Sequence, residues 1–175
     1  MRRIVILMVF AALLMTGCTQ QGKQQALIEG FYDEYLALSC PPQGDYPEWD
    51  EVQRVVQRYL TPDLFLDWES SHNAELDEWI DYDMFIQGQD CWPGIHVEQI
   101  SRIDKTQWYE VVVVLPESDN PEKVLSRGIV FYHLVLGDDG QWLIDCIDDG
   151  YNRIGNAPAD EDAALRENIE YQKHL

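Results

Sequence analysis

Positive charge is scarce in this chain. Twelve Lys and Arg stand against 32 Asp and Glu among 175 residues, a formal net charge of −20. That balance argues against nucleic acid as a partner, because holding phosphates takes a cationic surface. Anionic membrane surfaces should repel such a chain as well. Long apolar runs are also missing. Ile4 to Met15 is a charge-free apolar stretch of twelve residues, well short of the ~20 that a spanning helix needs. Cysteine is rare, at four, and no Cys-x-x-Cys or Cys/His cluster has the spacing of a zinc site. There is no Gly-x-Ser-x-Gly elbow, and His72, His96, His133 and His174 are scattered. His133 falls among apolar strand residues and reads as a core imidazole. A couple with the Cys146 thiol lacks any neighbouring oxyanion signature. Asp138-Asp139-Gly140 and Asp148-Asp149-Gly150 offer hard oxygen ligands. Neither has the alternating acids and terminal glutamate of a calcium loop, and turn chemistry accounts for both. No metal and no cofactor is expected.

What is present begins with an address. Met1-Arg2-Arg3 is a cationic start, the apolar run follows, and Met15-Thr16-Gly17-Cys18 closes the segment. Charge, run length, small residues and cysteine in that order fit a secretory signal and resemble the lipobox of bacterial lipoproteins. The resemblance implies cleavage after residue 17, diacylglyceryl on the Cys18 thiol and an acyl chain such as palmitate on the new amine. Several chains at roughly 0.8 kcal/mol per buried methylene hold a protein firmly on a membrane. Thr19, rather than aspartate, follows the cysteine. In enterobacterial lipoproteins that implies the outer membrane, with the body facing the periplasm.

Residues 18–24 then read as a lipidated polar tether and 25–175 as a single domain. All six tryptophans fall between Trp49 and Trp142, which locates the packed body. Ile28, Phe31, Tyr32 and Tyr35 recur at helical spacing over Gln24 to Leu38. A second helix is expected from Trp49 to Leu60. A third starts at the capping signal Thr61-Pro62-Asp63 and continues, after an interruption at Ser70 to Asn73, through Leu76, Trp79 and Ile80. Asp81 to Gly94 has no clean period and reads as a long structured loop. Strands are expected at Ile95–Ile103, Gln107–Leu115, Arg127–Leu136 and Gln141–Ile147, the second rich in β-branched residues. Pro116 to Lys123 reads as a charged loop and Gly137-Asp138-Asp139-Gly140 as a tight turn. A last helix covers Ala159 to Gln172. Helices followed by a four-strand antiparallel meander make an α+β fold. With Cys18 spent on lipid, three cysteines remain and at most one bridge forms. Cys40 and Cys91, each beside a proline-marked loop, are the favoured pair, and Cys146 is a buried thiol.

Four stretches, FYDEYL (31–36), YLTPDL (59–64), DMFIQGQD (83–90) and WLIDCI (142–147), occur in the order seen in the uncharacterised bacterial lipoproteins typified by YbjP. The chain resembles that family over roughly residues 25 to 172. The likeness implies a cystatin-like, nuclear-transport-factor-like cone, with helices wrapped by a curved sheet. It implies no activity.

Candidate binding residues are Asp83, Gln87, Gln89 and Asp90 on the long loop, with Asp145, Asp148 and Asp149 at the end of the last strand. If loop and strand end converge on a cavity of the cone, a carboxylate with a raised pKa becomes a candidate base, with Tyr32 or Tyr35 as donors. Absent a catalytic constellation, the leading expectation is a non-enzymatic, lipid-anchored module that docks on an envelope protein. That partner would be basic, as for an inhibitor or immunity protein. The alternative is a small-molecule binder or weak enzyme using the cavity between helices and sheet.

Overall fold

The computed structural model describes residues 19–41, 48–71, 83–88 and 91–172. The expected leader, Cys18, Gln89, Asp90 and the helical stretch around Leu76, Trp79 and Ile80 lie outside the described residues.

Helix α1 (Gln20–Ser39) starts inside the segment expected to be a tether. The correction has a local cause. Thr19 caps the helix, its hydroxyl oxygen accepting from the Gly22 amide at 3.2 Å, and Gln and Lys are good helix formers. Gln24 is fully buried, with its carbonyl accepting from the Tyr109 hydroxyl at 2.9 Å and its amide donating to Gln107 at 2.5 Å. The last residue of the expected tether is therefore held by the body, while Gln20 to Lys23 are helical and exposed. Ile28, Phe31, Tyr32 and Tyr35 form the buried stripe of α1. α2 (Trp49–Tyr59) buries Val52 and Val56, and α3 (Pro62–Ser71) buries Leu64, Phe65 and Trp68. The turn between these two is tied to the sheet, where the Thr61 amide donates to the Ile144 carbonyl at 2.8 Å.

The sheet is antiparallel and open, in the order β1 (His96–Arg102), β2 (Trp108–Glu117), β3 (Asn120–Leu136), β4 (Trp142–Asp148), β5 (Arg153–Gly155). Two features differ from the expected four-strand meander. β3 begins at Asn120, so much of the charged stretch Pro116 to Lys123 is a paired hairpin, with Asn120 opposite Glu117. The Lys123–Glu117 ion pair helps close it. A fifth, three-residue strand follows β4, and Gly155 is obligatory there. Its φ is +78°, and a Cβ would stand 2.2 Å from the Asp145 carbonyl oxygen.

Strand alternation sorts the side chains into two layers. Tyr109, Val111, Val113 and Leu115 of β2 face the helices with Val130, Tyr132 and Leu134 of β3, building the main core. Trp108, Phe131 and Cys146 face the other way and are covered by Leu165 of α4 (Ala159–Gln172). Two bulges adjust this phase. On β1, Val97 opposes Val113 and Gln99 opposes Val112, leaving Glu98 as the extra residue. On β4, Cys146 opposes His133 and Ile144 opposes Leu134, leaving Asp145 extra. Residues three apart, Val97 with Ile100 and Ile144 with Ile147, thereby reach the same core. A disulfide joins Cys40 at the end of α1 to Cys91, with Cα atoms 4.9 Å apart, and Cys146 is a free, buried thiol.

Candidate binding groove

Among the described residues, aromatic side chains fill the space between the helices and the sheet. Phe31 meets Phe85 edge-on at 5.0 Å between ring centres, and Tyr35 meets the same ring at 4.9 Å. Tyr32 donates to the Phe85 carbonyl at 2.7 Å and lies 2.8 Å from the Tyr132 hydroxyl. A phenol has one proton, so Tyr132 must be the donor in the second bond. Burial pushes the pKa of Tyr32, Tyr35 and Tyr132 well above the ordinary phenol value. These hydroxyls are committed to the fold and hold their protons at neutral pH.

The candidate acids serve local structure. Asp83 accepts from the Tyr35 hydroxyl at 2.6 Å and from the Phe85 amide at 2.8 Å, fixing the turn 83–88. Asp148 accepts from the Gly150 amide at 2.8 Å and lies 3.8 Å from Arg153. Asp149 is buried and accepts from the amides of Tyr151 and Asn152 at 2.8 and 2.5 Å. Asp145, put on the outer face by its bulge, meets His133 Nδ1 at 2.6 Å. His133 Nε2 stands 3.3 Å from Glu161 of α4 without the alignment of a hydrogen bond. Asp83 and Asp145 thus belong to opposite layers of the sheet and do not converge on one cavity. Among the described residues no group of three or more His, Cys, Asp and Glu side chains is placed to hold a metal ion. The Cys146 thiol is raised to about 11 by burial, which removes its nucleophilic form near neutrality.

Gln87 has a different task. Its amide nitrogen donates to the carbonyls of Ile129 and Asp149 at 2.6 and 2.5 Å, and its carbonyl accepts from the Ile129 amide at 2.9 Å. The first β3–β4 partners are Phe131 and Asp148. Gln87 therefore pairs the edge of β3 where β4 has ended, as one residue of a strand would. The price is a left-handed backbone, φ 50°, at a non-glycine position.

An open groove of about 470 Å³ lies to one side of this packing, between α1 and the edge strand β1. Its floor is apolar, from Ile95, Val97 and Ile100. Its wall is one stripe of α1, namely Gln25, Glu29, Asp33 and Leu36. Glu29 and Asp33 are exposed, and no Lys or Arg is among the lining residues. Glu98 of β1 is held by Arg127 through two bonds of 2.7 and 2.9 Å, which keeps its carboxyl below the ordinary value. Among the described residues β2 is the sole strand neighbour of β1, so the outer edge of β1 is unpaired.

No family model, no curated protein and no solved structure matches the chain. Glu29 and Asp33 are not among the candidate residues, because acids on the polar side of an amphipathic helix carry no signal of their own. The signal was their spacing, with Gln25, Glu29, Asp33 and Leu36 at successive helical turns.

Proposed function

We propose that this protein is a lipid-anchored envelope module, held at the outer membrane through Cys18, which docks on a protein partner and catalyses no reaction. The observation carrying this reading is the contrast between its acids. Asp83, Asp145, Asp148 and Asp149 are consumed in bonds that hold the fold, whereas Asp33 and Glu29, the latter accepting from Gln25 of its own helix at 2.9 Å, line an open groove beside an unpaired strand edge. Unpaired edges are templates for association that soluble proteins ordinarily cover or blunt. The net charge of −20 favours a basic partner, by steering as well as by contact. Helices on an antiparallel sheet are also compatible with the cone implied by the likeness to YbjP-type lipoproteins, and we extend that kinship to this chain as part of the reading.

Anchoring and docking are linked by geometry. Gln20, the first residue of α1, lies two positions after Cys18, a reach of about 7 Å. Lipid at Cys18 would therefore keep the body close to the bilayer. Among the described residues no helix is long and apolar enough to cross a membrane, which is neutral for such an anchor. The test is affinity capture of the full-length chain from detergent-solubilised membranes of its native host at low salt. Wild type should retain a partner that the Glu29→Gln/Asp33→Asn double variant loses. Equal recovery by both, or none by either, counts against the reading.

A further inference from the structure

Resting on that reading, we propose that the groove takes an extended cationic segment of the partner as a sixth strand on β1. The segment would run antiparallel to β1, with basic residues at two alternate positions and an apolar residue at the next.

The first support is the direction of α1. Gln24 meets Gln107 and Tyr109 at the start of β2. Cys40, at the other end, is bonded to Cys91, and the neighbouring Trp92 indole donates to Pro116 near the end of β2 at 2.9 Å. The helix therefore runs with β2 and against β1, and a strand antiparallel to β1 would run alongside α1. The second support is period. Glu29 and Asp33 are one helical turn apart, about 6 Å along the axis, and alternate residues of a strand are about 6.7 Å apart. Two basic side chains at positions i and i+2 would each meet one carboxylate, and i+4 would reach Leu36. The third is length. β1 has seven residues, so a segment of similar length finds backbone partners on either side of the bulge at Glu98. Backbone bonds to the edge would supply affinity, and the side chains facing α1 would supply selectivity.

The probe is a synthetic acetylated, amidated peptide, Lys-Val-Lys-Val-Leu-Val-Thr, titrated calorimetrically into the full-length chain in neutral detergent. Three comparisons accompany it. One peptide carries Gln for both Lys, one is methylated on alternate backbone nitrogens with its charge intact, and one titration uses the Glu29→Gln/Asp33→Asn chain. Both substituted positions are exposed, and unchanged circular dichroism would establish that the variant folds. The expected result is saturable binding, tightest for the Lys peptide on the wild-type chain. Losing two partly exposed ion pairs should weaken it by about tenfold, and backbone methylation should abolish it. Equal binding of the methylated peptide overturns strand addition, since charge attraction alone then suffices. Equal binding to the double variant overturns the assignment to this groove. No binding of the Lys peptide, while membrane capture still depends on Glu29 and Asp33, overturns the extended cationic segment but leaves the docking module standing.

Discussion

Replacing Gln87 with glutamate keeps the side chain's shape and removes its two donated protons. In the native chain those protons satisfy the carbonyls of Ile129 and Asp149 while the amide oxygen accepts from Ile129. After Gln87→Glu the accepted bond survives, but both carbonyl oxygens face a carboxylate oxygen instead of a donor. Leaving a part-buried acceptor unsatisfied costs about 1–3 kcal/mol, so two of them should cost roughly 3 kcal/mol allowing for residual solvent access. Gln87 packs closely on β3 here, since a Cβ built on Gly128 would stand 2.7 Å from the Gln87 Cβ. Urea unfolding followed by tryptophan fluorescence is the assay. At a slope of about 2 kcal/mol per molar urea the midpoint should fall by roughly 1.5 M. Gln87→Met, which has similar length but neither donor nor acceptor, should destabilise comparably. A Gln87→Glu midpoint within about 0.2 M of wild type would refute the idea that this side chain completes the edge of β3.

Alkaline pH should unfold the protein through its phenols. Tyr32, Tyr35 and Tyr132 have pKa values raised above 10.0 chiefly by burial. Their stabilisation is complete below the unfolded value and is lost as pH climbs from there towards the folded values. With three such groups the loss approaches about 4 kcal/mol per pH unit. Ultraviolet titration should show tyrosinate appearing cooperatively with unfolding, and gradual ionisation in a folded chain would contradict the network. Cys146, buried and raised to about 11, should resist iodoacetamide near neutral pH in the folded chain and react once urea unfolds it. Mass spectrometry showing prompt alkylation of the native protein would count against its burial. Reducing the Cys40–Cys91 bridge, which spans 51 residues of sequence, should lower stability by about 4 kcal/mol if loop entropy dominates. An unchanged urea midpoint under reductant would argue otherwise.

How legible this fold is in the sequence depends on which force sets each element. The valines 111–114 and the Gly137–Gly140 turn mark their strands plainly, because burial and turn geometry both leave compositional traces. The start of β3 leaves none. Asn120 to Arg127 is exposed throughout and pairs through its backbone, which any composition permits. The helical start of α1 is similarly masked, since Gln24 is the first buried residue in a run of polar ones. Placing Asp145 required the β4 bulge. Simple alternation misses that a single extra residue puts Asp145 and Cys146 on the same outer face. The groove is a product of tertiary placement, for nothing in Glu29 or Asp33 alone says that an edge strand lies beside them.

The most direct measurement of the central claim is site-specific photo-crosslinking in living cells of the native host. A photoreactive residue at Gln99, exposed on β1, should give one discrete adduct in the membrane fraction, and one at Leu66, exposed on α3, should give none. Adducts of equal yield from both positions, or none from Gln99, would contradict the account.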